Sequence, residues 1–285
     1  MERSNKLTMG ADVEVFLTRD KKIVPCVGLF KGTKEKPWQI PNAEKGFMLQ
    51  EDNVMLEFNI PVTNSATQFY INMENGIDYA RRQARRLGEG YDIAVKSSHK
   101  FTPEQLDSRQ AQVIGCEPDN NAYEMGQERT NPPKPGLERT CGGHIHMGGK
   151  FNCPDFVAAL FLEMSLASAN LIETGQNLSW YRQPGLYRSK PYGIEYRTVS
   201  NSIYGQSVPS RRNSYLRPIK YPPLYTASRV VGHVGDWLIK SDADDILDVF
   251  KNINWKVVRN YILMEASRED LSNEVLKAQA RGYPI

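Results

Sequence analysis

The sequence of 285 residues is poor in cysteine, with four in all and no Cys-x-x-Cys pair. A chain of this length with so few cysteines is neither a disulfide framework nor a zinc ribbon, so we expect reduced thiols in or near the core. The sequence also lacks an apolar run of the roughly 18 residues that a membrane span needs. No apolar stretch follows the polar N-terminus as it would in a signal peptide. We therefore expect a cytoplasmic protein without a membrane partner.

An excess of one charge is absent as well, because 36 basic and 33 acidic residues leave a net charge of +3. This near balance does not favour nucleic acid as a partner. Four arginines between positions 81 and 86 are a local exception. They lie off the apolar stripe of a predicted helix, which indicates a solvated helix face. The hydrophobic fraction of 40% excludes a disordered chain.

The common glycine-rich phosphate-binding motifs are missing too. The chain contains neither Gly-x-x-x-x-Gly-Lys-[Ser/Thr] nor Gly-x-Gly-x-x-Gly. If the protein binds nucleotide phosphates, metal ions and arginines have to hold them, as on an open sheet.

Apolar periodicity predicts an α+β protein in which strands come first and helices follow. Alternating apolar residues predict strands at 7–18, 23–27, 54–60, 112–116, 140–148 and 192–199. Apolar steps of three and four predict helices at 64–88, 154–174, 226–239, 242–251, 255–265 and 268–281. Proline-rich polar stretches predict long loops at 117–134 and 200–223.

Four predicted strands carry polar side chains where the pattern predicts one face of a sheet. Side chains at i and i+2 of a strand share a face, and the other face of each of these strands is apolar. The polar residues are Asp12 and Glu14, Glu57, His144 and His146, and Glu195 and Arg197. If the four strands belong to one sheet, these groups line one face and helices cover the other.

Carboxylates gathered on one face need positive partners, because close like charges cost free energy. Mg²⁺ and Mn²⁺ are the cations that carboxylates suit, and both leave coordination positions for water and substrate phosphates. An arginine beside them can bind a phosphate or a carboxylate through two hydrogen bonds. The pattern therefore favours metal-dependent phosphoryl chemistry.

Four segments resemble, in their order along the chain, the carboxylate–amine ligases. That group has the glutamine-synthetase-like catalytic fold and includes the gamma-glutamylcysteine synthetases. The likeness covers about residues 8–205 and is closest to the phage-encoded branch, in which the stretch Gly115-Cys116-Glu117-Pro118-Asp119 is also similar. The four segments are Gly10-Ala11-Asp12-Val13-Glu14, Glu51-Asp52-Asn53-Val54-Met55-Leu56-Glu57-Phe58, Cys141-Gly142-Gly143-His144-Ile145-His146-Met147-Gly148 and Tyr192-Gly193-Ile194-Glu195-Tyr196-Arg197.

The resemblance implies a fold and an activity. The fold is a curved antiparallel sheet of glutamine-synthetase-like type with an open polar face, helices on the other face and a helical C-terminal tail. The catalytic domain covers 1–225, and a helical extension, 226–285, packs on the same domain. The implied activity uses ATP to phosphorylate a carboxylate, after which an amine attacks the acyl phosphate. The implied partners are carboxylate and amine substrates, small molecules or peptides, in the host cytoplasm if the protein is phage-encoded, and proteins of this fold often form homo-oligomers.

The resemblance also implies roles for individual residues. Arg197 contacts the transferring phosphoryl group or the substrate carboxylate, and Glu195 and Arg188 complete the catalytic set. The implied ligands of Mg²⁺ or Mn²⁺ are Glu14, Glu57, His144, Glu195 and Asp12. The implied nucleotide-binding residues are Arg182, Arg188, Lys190 and His146.

The last motif departs from the family in one respect. Many glutamate–cysteine ligases have a second acid just after the glutamate of this motif, whereas Tyr196 follows Glu195 here. Glu51 or Asp52, in the turn before Glu57, is the residue expected to complete the metal set. The number of metal ions therefore stays open.

Two other functions stay open on the sequence alone. A metal-dependent hydrolase could hold Zn²⁺ through His144, His146 and an acid and activate water. A non-catalytic phage protein could bind nucleic acid through the arginines of 81–86, with a steep salt dependence. The conjunction of the four strand motifs favours the ligase.

Overall fold

The computed structural model of the protein describes residues 3–113, 119–129, 136–173, 182–205 and 223–284. Within these ranges the chain is mixed α/β, with one large antiparallel sheet that does not close into a barrel and a helical C-terminal region. No helix in the described ranges is long and apolar enough to cross a bilayer.

The bounds of the regular elements are as follows. The strands are β1 Thr8–Arg19, β2 Lys22–Val24, β3 Trp38–Gln39, β4 Met48–Asp52, β5 Met55–Asn59, β6 Tyr91–Ala94, β7 Ser98–Lys100, β8 Asn120–Asn121, β9 Gln127–Glu128, β10 Glu138–Thr140, β11 Gly143–Gly148, β12 Leu186–Lys190 and β13 Gly193–Tyr196. The α-helices are α1 Ala66–Arg85, α2 Arg109–Gln112, α3 Asp155–Ser168, α4 Ser202–Gly205, α5 Pro223–Lys240, α6 Ala243–Asn252, α7 Trp255–Ile262 and α8 Arg268–Ala280.

The main sheet brings the four motif strands side by side. Its strand order is β3-β4-β5-β1-β11-β13-β12-β8-β9, and the C-terminal part of β1 also pairs with β2 and β6. Residues directly opposite each other on neighbouring strands share a face. Asp12 lies opposite His144, and Glu14 opposite Glu57. His146 lies opposite Glu195, so the polar residues of all four motifs share one face of the sheet.

The other face of the sheet is apolar and carries the core. Val13 and Val15 of β1 and Ile145 of β11 are fully buried there. Helices α1, α3 and α5 pack on this face, and the same core extends to Tyr283 near the C-terminus. Helix α3 is buried along almost its whole length because apolar residues surround it on all sides.

The polar face is covered at one end by a second, small core. Phe16 follows Asp12 and Glu14 on the same face of β1, and it packs with Phe101 and Leu106 from the segment after β7. This small core therefore borders the part of the sheet that carries the motif residues.

Most predicted elements lie where periodicity indicated them, and four segments differ. The described part of the predicted loop 200–223 contains the short helix α4, and residues 206–222 lie outside the described ranges. The predicted strand 112–116 is wrong in its described part, since Gln112 ends α2, and residues 114–118 lie outside the described ranges. The described part of the predicted loop 117–134 contains a short hairpin, β8–β9, which turns where Met125 and Gly126 both adopt positive φ. Helix α3 ends at Ser168, because Asn170 at φ 56° leaves the helical conformation.

Candidate active site

Two groups of candidate metal ligands lie on the polar face. In the first, Asp12 of β1, His146 of β11 and Glu195 of β13 each offer a ligand atom, and these atoms lie within 4.8 Å of one another. In the second, one oxygen each of Glu14, Asp52 and Glu57 meets the same condition. Strand β1 contributes to both groups, through side chains two positions apart on one face.

The second group consists of carboxylates only. Glu14 accepts a hydrogen bond from the backbone N–H of Gly142 at 2.5 Å, and Glu57 accepts one from the side chain of Gln50 at 2.8 Å. Burial raises the pKa of Glu14, and the nearby charge of Asp52 adds to the effect. Burial and the surrounding carboxylates raise the pKa of Glu57 well above its usual range. Ionisation of these carboxyls is unfavourable because they are buried close to one another. A divalent cation bound among them would compensate their negative charges.

In the first group, Asp12 bridges both histidines. Its two oxygens lie 2.8 Å from Nδ1 of His144 and 3.2 Å from Nε2 of His146. Burial opposes ionisation of Asp12, but the charges of His146 and His144 hold its pKa well below the usual range. Burial likewise opposes protonation of His146, and Asp12 nevertheless raises the pKa of that ring. The position therefore favours an anionic carboxylate beside a positive charge, which a proton on His146 or a bound cation can supply.

Glu195 joins the first ligand group to a cluster of cationic side chains. It forms an ion pair with Arg197, and Nη1 of Arg188 and Nζ of Lys190 lie 3.4 and 3.0 Å from its oxygens. Burial opposes ionisation of Glu195, but Arg197 in particular lowers its pKa to about 2. Glu195 is therefore ionised across the whole physiological pH range.

Asp119 belongs to the site although its motif was not assigned a role from the sequence. Its Oδ1 lies 3.1 Å from Nε of Arg188 and 3.0 Å from Nε of Arg197. The carboxylate is only 7% exposed and directly precedes β8, at the edge of the sheet beyond β12. Each guanidinium is thus held through Nε on the side of Asp119, and each also reaches Glu195 through Nη1.

Charge is unevenly distributed across the polar face. The Glu14–Asp52–Glu57 group lies on β1, β4 and β5. The cationic residues Arg188, Lys190 and Arg197 lie on or next to β12 and β13. The Asp12–His146–Glu195 group lies between the two regions. Such a surface can hold divalent cations at one side and bind an anionic group such as a phosphate at the other.

The structure brings together most of the residues selected from the sequence. The residues that lie in the two ligand groups or in the ion pairs of Glu195 are Asp12, Glu14, Glu57, His146, Glu195, Arg188, Lys190 and Arg197. His144 lies between Asp12 and Arg197, with its Nδ1 3.4 Å from Nη1 of Arg197, but it is in neither ligand group. Direct metal ligation by His144 stays a prediction.

Arg182 lies in a different environment from the other predicted phosphate ligands. It is completely buried, and its Nη1 forms an ion pair with Glu173 at 2.8 Å. Its predicted role in nucleotide binding stays a prediction. Of the two acids proposed to complete the metal set, Asp52 lies in the carboxylate group, whereas Glu51 accepts hydrogen bonds from the backbone N–H groups of residues 28–30.

Comparisons with solved structures find chains that are similar to this one. No family model and no curated protein matches the chain. Among solved structures, the chain is similar to a bifunctional glutathione synthetase from Pasteurella multocida, with a TM-score of 0.46 and 13% sequence identity. The alignment covers 97% of this chain and 46% of that one, so the chain spans less than half the length of that protein.

Proposed function

We propose that the protein is an ATP-dependent carboxylate–amine ligase that forms an amide bond through an acyl phosphate. One observation carries the proposal: a single sheet face places two candidate cation sites beside a pair of nearly buried arginines. The order of the four motifs along the chain, which resembles that of known carboxylate–amine ligases, supports the same activity.

The donor chemistry of both ligand groups suits Mg²⁺ or Mn²⁺. Five of the six ligands are carboxylates, and the sixth is the imidazole of His146. Asp12, His146 and Glu195 would hold one ion, and Glu14, Asp52 and Glu57 would hold another. When bound, the metals would neutralise negative charge on the ATP phosphates.

In the first step, an oxygen of the substrate carboxylate attacks the γ-phosphorus of ATP, and the bond from that phosphorus to the ADP oxygen breaks. Arg188 and Arg197 bind the transferring phosphoryl group, while Glu195 and Asp119 keep the two guanidiniums in position. In the second step, the amine nitrogen attacks the acyl carbon, the C–O bond to phosphate breaks, and the nitrogen loses a proton. The products are an amide, ADP and phosphate. Positioning and electrostatic stabilisation supply most of the catalysis in such phosphoryl transfer.

The geometry gives less support to the two alternatives. A zinc hydrolase would use both histidines with an acid, but the described residues contain no ligand group that includes both. Nε2 of His144 packs against the backbone at Gly142, where a Cβ would not fit. The arginine patch that a nucleic-acid binder would use is partly neutralised, since Arg81 and Arg85 both form ion pairs with Asp92.

An ADP-release assay tests the proposal. The protein is incubated with Mg²⁺-ATP and a panel of carboxylate and amine pairs, and ADP is expected only when both substrates are present. Mg²⁺-ATP is also expected to raise the melting temperature, and ATP without metal is expected to raise it much less. A protein that neither releases ADP with any pair nor gains stability at millimolar Mg²⁺-ATP would contradict the proposal.

A further inference from the structure

Helix α3 carries a fully buried carboxylate behind the candidate active site. Glu163 is 0% exposed and lies on the apolar side of the sheet, where α3 packs on β12 and β13. Tyr196 and Thr198 reach it because they alternate with Glu195 and Arg197, which face the site. A buried charge in such surroundings is costly unless hydrogen bonds compensate it.

Four donor groups lie within hydrogen-bond distance of Glu163, and one of them, the Thr198 hydroxyl, is also 3.1 Å from the carbonyl oxygen of Gln183. The hydroxyl of Tyr123 donates to Oε1 at 2.8 Å. The backbone N–H of Gly185 donates to Oε2 at 2.5 Å, and the hydroxyls of Tyr196 and Thr198 both lie 3.1 Å from that oxygen. A glutamine could not accept all four hydrogen bonds, and an apolar residue would leave buried donors without acceptors. The donors therefore match a carboxylate, and they oppose the effect of burial, which raises the pKa of Glu163 to about 7.

Each donor lies on or beside a chain segment that carries Arg188, Arg197 or Asp119. Tyr196 and Thr198 flank Arg197, which lies just beyond the end of β13. Gly185 directly precedes β12, which carries Arg188. Tyr123 follows β8, and Asp119 precedes the same strand. Glu163 thus binds, at one point, the three chain segments whose residues meet on the opposite face of the sheet.

We infer that Glu163 is a positioning residue for Arg188, Arg197 and Asp119, acting through the sheet from the side opposite the substrate. Its hydrogen bonds fix the ends of β12 and β13, and hence the direction in which the two guanidiniums project. The expected effect of Glu163 on nucleotide binding rests on the proposed ligase function. Its effect on the positions of Arg188 and Arg197 does not.

Single-hydroxyl deletions test the inference with little disturbance of the core. Tyr196→Phe and Tyr123→Phe each remove one donor to Glu163 and keep the ring. Ser165→Ala is the matched control, because Ser165 is also buried on α3 but pairs with Tyr283 instead of the sheet. Glu163→Gln is the stronger variant, and the tyrosine variants decide the test if it does not fold.

The first readout is the position of the arginines, measured as the Nε–H signals of Arg188 and Arg197 in protein labelled with ¹⁵N-arginine. Both tyrosine variants are expected to shift these signals, and Ser165→Ala is expected to leave them unchanged. A purely structural role would lower the melting temperature of the tyrosine variants without moving the signals. Unshifted signals in both tyrosine variants would overturn the inference.

The second readout is the dissociation constant for Mg²⁺-ATP, measured by calorimetry on the full chain. Loss of one hydrogen bond to a charged group is expected to weaken nucleotide binding roughly tenfold in the tyrosine variants and to leave Ser165→Ala at the wild-type value. If the wild-type protein does not bind Mg²⁺-ATP, the proposed function fails, and the arginine signals still decide whether Glu163 positions the pair. Wild-type affinity in both tyrosine variants would overturn the catalytic part of the inference.

Discussion

Asp119 and Arg197 form an ion pair, with Oδ1 of the carboxylate 3.0 Å from Nε of the guanidinium. The same oxygen lies 3.1 Å from Nε of Arg188, so one carboxylate orients both arginines of the candidate site. These two ion pairs constrain the direction of both guanidiniums, and Nη1 of each guanidinium also contacts Glu195.

Asp119→Asn is expected to weaken this orientation, since a neutral amide replaces the charge that both arginines contact. The loss of two buried ion pairs predicts a fall in kcat/KM for ADP release of roughly 10- to 100-fold. Asp92→Asn is the matched control, because Asp92 also pairs with two arginines but on the surface of α1 and β6. Equal activity of Asp119→Asn and wild type would contradict a role of Asp119 in orienting the two arginines.

Glu195→Gln is expected to abolish ADP release and to change how stability depends on pH. The pKa of Glu195 lies at about 2 in the folded protein and near 4.5 when unfolded, so its stabilisation is complete above pH 4.5 and is lost as the pH falls toward 2. The difference corresponds to about 3 kcal/mol. Urea unfolding at pH 7 and pH 3 should therefore show a smaller acid-induced loss for Glu195→Gln than for wild type. Identical losses would contradict the assigned ion pairs.

Glu57→Gln is expected to stabilise the metal-free protein and to weaken metal binding. The pKa of Glu57 is raised well above its usual range, so above that range the ionised carboxyl destabilises the fold, and glutamine removes this penalty while keeping an acceptor for Gln50. Thermal unfolding at pH 8 with and without Mn²⁺ measures both effects.

Glu51→Gln serves as the contrasting variant. Glu51 is the neighbouring buried acid, but it accepts backbone hydrogen bonds from Gly28, Leu29 and Phe30. Glu51→Gln should lower the melting temperature of the protein and leave the increase in melting temperature caused by Mn²⁺ unchanged. A Glu57→Gln protein with an unchanged Mn²⁺ shift would exclude the carboxylate group as a cation site.

The two histidines should respond differently to substitution. His146→Ala removes a candidate ligand and should raise the Mn²⁺ concentration for half-maximal ADP release by about tenfold or more. His144→Ala removes a buried partner of Asp12 and should mainly lower stability, since His144 lies outside both ligand groups. Mn²⁺ titrations of ADP release by the two variants measure this difference. A larger increase in the required Mn²⁺ concentration for His144→Ala than for His146→Ala would support the predicted role of His144 as a ligand.

The sequence predicted the polar face but not the pairing across it. Alternation places His144 and His146 on one side of a strand, and it cannot tell which acid lies opposite each histidine. That depends on register: His144 lies opposite Asp12, whereas His146 lies opposite Glu195. Register between strands far apart in the chain is determined by packing and loops, which local periodicity does not contain.

Asp119 was missed for a related reason. It follows the stretch Gly115-Cys116-Glu117-Pro118, in a region whose composition predicts a loop, and a single acid in a loop carries no periodic signal. The only available signal was the similarity of that stretch to the ligase family. Arg182 was selected from the sequence as a phosphate ligand because it lies near Arg188 in the chain. That position gives no sign that Glu173 forms an ion pair with it.

Strand β1 gives Asp12 to one ligand group and Glu14 to the other. A shift of one residue in its pairing would turn both carboxylates toward the helices and bring Val13 to the polar side. The two candidate cation positions therefore depend on one strand register: a one-residue shift of β1 would remove an acid from both at once, and neither position could change in this way while the other is preserved.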